Sequence, residues 1–255
     1  MELEGRTVVV TGAADGIGGA LVDALLAQGA KTVVATDLDA PPEREGVVAR
    51  VLDVTDEDAT RALVEELGPI DAWFANAGVS TGGGPEAGDA TWDLQWRVNL
   101  MAHVYAARAL LPGWIGRGEG HLVTTASMAG LLTAIGDAPY SATKHAAVGF
   151  AEWLAFTHGA QGVRVSCVCP GAVDTAMLRA GAGGDAAKAA AMIGGGEPQR
   201  PEEAAARILE GVREDRFLIY THPEMHEFVV GKAENPERWI RGMTKLWARA
   251  QTLLR

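Results

Sequence analysis

The sequence predicts an α/β fold: one doubly wound, parallel sheet of about seven strands with helices on both faces. Three observations carry this expectation. Short apolar and β-branched runs alternate with stretches of helical periodicity along the chain. The runs are apolar at nearly every position, as in strands covered on both sides. The chain has 255 residues, a length that an α/β unit of roughly 250 residues can fill alone, and it shows no internal repeat, so 1–255 reads as a single domain.

Thr7-Val8-Val9-Val10-Thr11 is the first strand and ends at a glycine-rich loop. Ile17 to Gln28 is a helix with Ile17, Leu21, Ala24 and Leu25 on one side and Gly29 as its stop. Lys31 to Asp37 is the second strand. The next link, Leu38 to Gly46, contains Pro41-Pro42 and is too short for a full crossover helix, since a parallel connection usually takes about a dozen residues. Val47 to Leu52 is the third strand, and Asp56 caps a helix that runs to Leu67. Asp71 to Ala75 is the fourth strand. A long helical stretch from about Thr91 to Arg117 is interrupted near Asn99. Gly120 to Thr125 is the fifth strand, Pro139 to Gly159 a helix, and Val163 to Cys169 the sixth strand, ended by Pro170-Gly171. Pro201 to Glu214 is a helix with proline in its first turn, and Phe217 to Tyr220 is the last strand. Residues 176–200, rich in glycine and alanine around 180–196, read as a lid over a pocket, because they follow a strand's carboxyl end. Residues 222–255 form a C-terminal extension. Its Pro236–Arg255 part is an amphipathic helix bearing Trp239, Met243, Leu246 and Trp247.

The composition narrows the function. A net charge of −11 repels polyanions, so neither nucleic acid nor an anionic membrane is an expected partner. The N-terminal residues do not read as a signal peptide, and no apolar run reaches the roughly 18 residues a membrane span needs; a cytoplasmic protein is expected. Cys167 and Cys169 read as buried small hydrophobes on one strand face. No metal site is expected: His222-Pro-Glu-Met-His226 is not the H-E-x-x-H zinc pattern. His103, His121, His145 and His158 read as surface or helix-face residues.

Two groups of residues point to chemistry. Gly12, Gly16 and Gly18, with Ala14, Asp15 and Ile17 between them, occupy a strand-to-helix turn, where glycines let a pyrophosphate approach the backbone and a helix N-terminus offers free N–H groups. The spacing is G-x-x-x-G-x-G. Asp37 closes the second strand about 20 residues on. Its carboxylate can accept hydrogen bonds from a ribose diol and would repel a 2′-phosphate, while Ala14, Asp15 and Leu38 bring no positive charge; NAD is therefore expected over NADP. Asp53-Val54 and Asn76-Ala77-Gly78 follow the third and fourth strands, at the sheet edge where a Rossmann-type fold binds ligands. The second group is Tyr140 and Lys144, four residues apart and so on one helix face, with Ser127 upstream. Tyrosine, with a pKa near 10, is a poor base at neutral pH. A neighbouring ammonium lowers that value, and a hydroxyl can hold the substrate oxygen while the phenol exchanges a proton.

Together, Thr11-Gly12-x-x-x-Gly16-Ile17-Gly18, Asn76-Ala77-Gly78, Asn99, Ser127, Tyr140-x-x-x-Lys144 and Pro170-Gly171 resemble, in order and spacing, the compact single-domain branch of the short-chain dehydrogenase/reductase family, over roughly Arg6 to Tyr220. The resemblance implies an NAD-dependent oxidoreductase that interconverts a secondary alcohol and a ketone. It implies Tyr140 as general acid/base, Lys144 as the residue that lowers its pKa and binds the nicotinamide ribose, and Ser127 as the group orienting the substrate oxygen. Asn99 would sit at a helix kink, its carbonyl holding a relay water. A cofactor site is implied from Gly12, Asp15, Gly16, Ile17, Gly18, Asp37, Leu38, Asp53, Val54, Asn76, Ala77, Gly78, Tyr140, Lys144, Pro170, Gly171, Val173 and Thr175. A homo-oligomer, tetramer or dimer, is implied through the helices of roughly 100–117 and 140–158, where Ala146, Ala147 and Gly149 would allow close packing. Met128, Leu131, Leu132, Met177, Leu178, Met192 and Ile193 would give an apolar substrate pocket, suited to a small hydrophobic or cyclic alcohol or ketone. An NADPH-dependent ketone reductase and a non-catalytic NAD-binding regulatory protein are the rival readings.

Overall fold

The structure is a computed structural model and describes residues 1–41, 44–180 and 197–253. Seven strands form one parallel sheet: β1 (Thr7–Thr11), β2 (Thr32–Asp37), β3 (Val47–Val51), β4 (Ala72–Ala75), β5 (Gly120–Thr125), β6 (Val163–Cys169) and β7 (Leu218–Tyr220). Their spatial order is β3-β2-β1-β4-β5-β6-β7, with Val9 level with Val34 on one side and Trp73 on the other. The chain runs outward from β1 to β3, then returns to the other side of β1. The order therefore reverses between β1 and β4, and the crevice beyond the carboxyl ends of these strands is where such a sheet takes a ligand.

The central strands are apolar because both faces are covered. Val8, Val9 and Val10 are wholly buried. One face is closed by α1 (Gly16–Ala27) and α8 (Pro201–Arg213), which bury Leu21, Leu25, Ile208 and Leu209. The other is closed by α2 (Glu57–Leu67), α4 (Ala102–Arg117) and α6 (Ala138–His158), around Trp73, Trp114 and Leu154. Burying a side chain of this size is worth roughly 1.5–3 kcal/mol. Asp56 caps α2 as expected, its side chain accepting from the Ala59 amide.

The interruption near Asn99 takes a definite form. α3 (Asp89–Trp96) passes through a π-helical turn at Arg97–Met101 into α4. The wider turn sets the buried Asn99 side chain against the residues after β4 rather than along the helix surface. No helix forms between β2 and β3 among the described residues, in keeping with the short link. Among the described residues, no helix is long and apolar enough to cross a membrane.

Two expectations, on the histidines and on Ala147, need correction. His103 and His121 are buried, not superficial: His103 lies under the sheet's carboxyl end, and His121, on β5, pairs with the Ser166 hydroxyl at 3.0 Å. Ala147 points into the protomer core and is fully buried, so of the three small residues expected at a subunit contact only Ala146 and Gly149 remain outward. The C-terminal extension contains two helices, α9 (Met225–Glu234) and α10 (Pro236–Leu253), broken at Asn235-Pro236. Of the 176–200 lid, the structure describes a short helix, α7 (Ala176–Ala180), and residues 197–200, which pair with Val173 through Gln199. Met192 and Ile193 lie outside the described residues.

Candidate active site

A cavity of about 1710 Å³ opens at the carboxyl end of the sheet. Its walls include every residue expected at the cofactor site except Gly18, and Ser127, Tyr140 and Lys144 as well. Gly18 and Asn99 do not line it; they lie directly beneath and shape it.

The glycine loop is built by close approach. Gly12 has φ +65°, and a Cβ there would stand 2.8 Å from the Ala77 Cα; a Cβ on Gly18 would stand 1.9 Å from the Gly12 carbonyl oxygen. Only glycine lets the β1 loop, the start of α1 and the Asn76–Gly78 segment nest this tightly. Thr11 and Asn76 hold the nest together. The Asn76 and Ala77 amides donate to the Thr11 hydroxyl at 3.0 and 3.1 Å, and the Asn76 side-chain amide donates to the carbonyls of Thr11 and Gly12. The first N–H groups of α1 have no side-chain cap and no acid in the first turn, the state that suits a phosphate. Asp37 is fixed by two amides, Ala14 N–H at 3.0 Å on one oxygen and Leu38 N–H at 2.8 Å on the other. Asp53 folds back on Thr55, whose amide and hydroxyl both donate to it at 2.8 Å. These residues fit a dinucleotide.

Tyr140 and Lys144 project from the first turns of α6 into the deep end of the cavity. Lys144 is 2% exposed, and its ammonium donates to the Thr125 carbonyl at 2.8 Å. Burial lowers the Lys144 pKa from 10.5 to about 8. The expected lowering of Tyr140 is reversed in this structure. Burial pushes the phenol above its usual value of 10, the Ser127 hydroxyl draws it partly back, and the Asp137 carboxylate adds to the rise. The ammonium donates to the Thr125 carbonyl and lies 5.5 Å from the ring centre.

Asn99 is fully buried. Its side-chain oxygen accepts from the Val79 amide at 2.9 Å, and its nitrogen donates to the Val79 carbonyl at 2.9 Å and the Thr143 hydroxyl at 3.2 Å. It thus ties the segment after β4 to the helix carrying Tyr140. Pro170-Gly171 supports Ser127 from the other side, the Pro170 carbonyl accepting from the Met128 amide at 2.8 Å. The sequence reading missed Asp137. It is 6% exposed and receives four hydrogen bonds, one from the Tyr140 amide. The signal was present: an aspartate two residues before Pro139 at the start of a helix is a capping pattern. At the outer end, Trp239, Met243, Leu246 and Trp247 of the amphipathic tail helix line the cavity from α10, together with Phe228 of α9, which the sequence reading did not single out.

Chemically, the site sets a phenol, a hydroxyl and an ammonium together in a cavity whose lining fits a dinucleotide. The family model for short chain dehydrogenase matches residues 6–183. The chain is similar to 1-deoxy-11-beta-hydroxypentalenate dehydrogenase of Streptomyces exfoliatus, at 36% identity over 88% of this chain and 86% of that one. It also resembles a solved short chain dehydrogenase/reductase from Burkholderia phymatum in complex with NAD, with TM-score 0.80 and 28% identity over 93% and 96% of the two chains. A short chain dehydrogenase from Burkholderia cenocepacia J2315 in complex with NADP shares the fold, with TM-score 0.82 and 24% identity over 93% and 97%. The site suits a nicotinamide cofactor, and the chain belongs to the short-chain dehydrogenase family, an oxidoreductase acting on CH–OH groups to interconvert alcohol and ketone.

Proposed function

We propose that the enzyme uses NAD and acts on a hydrophobic, cyclic secondary alcohol or its ketone. Asp37 is the observation that supports NAD. Its carboxylate is held at the end of β2 by the Ala14 and Leu38 amides, beside Asp15 and with no basic side chain among Ala14, Asp15 and Leu38. A 2′-phosphate there would face negative charge and no cation.

The substrate end supports an apolar partner. Leu94, Val98, Met128, Leu132, Ile135 and Met177 line it on the side of Tyr140, and the aromatic residues of α9 and α10 face them. The pentalenate dehydrogenase relative is named for a substrate of cyclic character, in line with this reading. In the reaction, Ser127 orients the substrate oxygen; Tyr140 as the phenolate takes the hydroxyl proton during oxidation, and as the phenol gives it back during reduction. Lys144 keeps positive charge beside the phenol. The cofactor, when bound, accepts or gives the hydride.

The outward face of α6 supports a homo-oligomer: Trp153 is 51% and Phe156 71% exposed, an apolar pair suited to a subunit contact. The two free, buried thiols of Cys167 and Cys169 suit the reducing cytoplasm.

A panel of secondary alcohols, from 2-propanol to bicyclic alcohols, assayed with NAD⁺ and with NADP⁺ at the reduced-nicotinamide absorbance tests both parts. Turnover of cyclic alcohols with NAD⁺ at least tenfold above NADP⁺ is expected. NADP⁺ preference, or activity confined to short or sugar alcohols, would overturn the respective part.

A further inference from the structure

Asp137 stands in the turn that leads into α6, and its carboxylate is the meeting point of three separate segments. One oxygen accepts from the Ser80 hydroxyl at 2.7 Å and the Gly82 amide at 2.9 Å. The other accepts from the Tyr140 amide at 2.9 Å and the Gln95 side-chain amide at 3.2 Å. Gln95 also donates to the Thr81 hydroxyl at 2.7 Å and accepts from Asn99 at 3.4 Å. The backbone repeats the link: Gly83 N–H donates to the Gly136 carbonyl at 2.9 Å, and Ala138 N–H to the Gly83 carbonyl at 2.8 Å. Residues 79–82 line the cavity on the substrate side. Both carboxylate oxygens are saturated by neutral donors, so Asp137 is not placed to bind substrate itself, and no cation is among its partners.

We propose that Asp137 is a positioning residue of the active site: it clamps the Ser80–Gly83 wall and the first turn of α6 into one body, so that substrate and phenol hold a fixed relative placement. The proposal rests on the reading of Tyr140 as the acid/base. A helix cap alone would need only the Tyr140 amide. The other three donors come from residues 80, 82 and 95, which the cap does not require, and two of them belong to the wall that touches substrate. The clamp has an electrostatic consequence. Four groups bear on the phenol: Asp137 before α6, Lys144 on α6, Ser127 after β5 and Cys169 on β6. Of these only Asp137 brings a fixed negative charge, and a negative charge opposes formation of a phenolate.

The test compares Asp137→Asn, Asp137→Glu, Ser80→Ala and Gln95→Met with the wild type, after Tyr140→Phe has established that turnover depends on the phenol. Retained turnover in Tyr140→Phe would remove the acid/base reading and leave the clamp to be judged by substrate KM alone. The readouts are NADH affinity by fluorescence, kcat and KM, and the pH profile of alcohol oxidation. Asp137→Asn keeps an acceptor for the cap but loses the charge and the bond to the Gly82 amide. It should lower kcat at least tenfold with NADH affinity within twofold, and move the acid-side pKa of the profile, that of the phenol acting as base, to lower pH. Asp137→Glu keeps the charge with a longer arm; it should lower kcat while leaving that pKa in place. Ser80→Ala and Gln95→Met, with the carboxylate intact, should raise substrate KM and leave that pKa in place. An Asp137→Asn profile that superimposes on the wild type, with kcat/KM within twofold, would overturn the proposal. Should Asp137→Asn fail to fold, unchanged substrate KM in both Ser80→Ala and Gln95→Met would overturn it equally.

Discussion

Lys144 Nζ donates to the Thr125 carbonyl at 2.8 Å and lies 5.5 Å from the centre of the Tyr140 ring. The ammonium is thus anchored to the end of β5 and stands beside the phenol without being consumed by an ion pair. That arrangement is costly for folding, because a buried ammonium loses its hydration.

The cost gives a stability prediction with a definite sign. The folded-state pKa of Lys144 is lowered from 10.5 to about 8, so between those values the unfolded chain binds more protons. Stability from this group therefore rises with pH across that window, and the penalty is fully present below about 8. Lys144→Met should raise thermal stability at pH 7, by roughly 1–3 kcal/mol once the lost bond to Thr125 is offset, or several degrees in Tm. The gain should shrink as pH approaches 10.5, while activity falls at least ~100-fold. Melting curves at pH 7 and 10 check it; a variant less stable at both would refute the burial argument.

Tyr140→Phe removes the exchanging proton and little else. Turnover should fall by roughly 10²–10⁴, with NADH affinity nearly unchanged. Stopped-flow turnover and fluorescence titration separate the two effects.

Asp37→Ser withdraws the carboxylate that holds the Ala14 and Leu38 amides. The ratio of kcat/KM for NAD⁺ over NADP⁺ should drop at least tenfold, about 1.4 kcal/mol. An unchanged ratio would move the ribose contact elsewhere.

Gly18→Ala places a methyl 1.9 Å from the Gly12 carbonyl oxygen. Backbone cannot yield that far locally, so the loop must shift, at roughly 1–3 kcal/mol or more. Cofactor affinity should fall at least tenfold, measured by NADH fluorescence, with a lower Tm in its absence.

Trp239→Ala and Trp247→Ala cut into the apolar face that α10 turns to the cavity. Each should lower kcat/KM for a bicyclic alcohol several-fold more than for 2-propanol, since only the larger body reaches them. A parallel loss on both substrates would show these side chains to act on stability instead.

The legible parts of the site were those fixed by short-range spacing. Gly12, Gly16 and Gly18 sit on one turn, Tyr140 and Lys144 on one helix face, and both relations follow from local geometry. Asp37 was legible because it closes a strand in a regular βαβ unit. Asp137 was not singled out, since its role depends on residues 80, 82 and 95 arriving from other segments. The direction of the Tyr140 shift was misjudged for a similar reason. Helical spacing places an ammonium near a phenol, but it does not show that the ammonium turns to Thr125 or how completely the phenol is desolvated.

The sequence by itself determined the order of strands and helices, the parallel sheet and the glycine turn. Those features rest on periodicity and on interactions within a few residues. Tertiary structure alone decided that His103 and His121 are interior, that Arg97–Met101 winds as a π turn, that α9 and α10 wall the cavity, and that burial governs the phenol. Burial and polar satisfaction depend on what lies across the fold, and chain neighbours do not specify that distance.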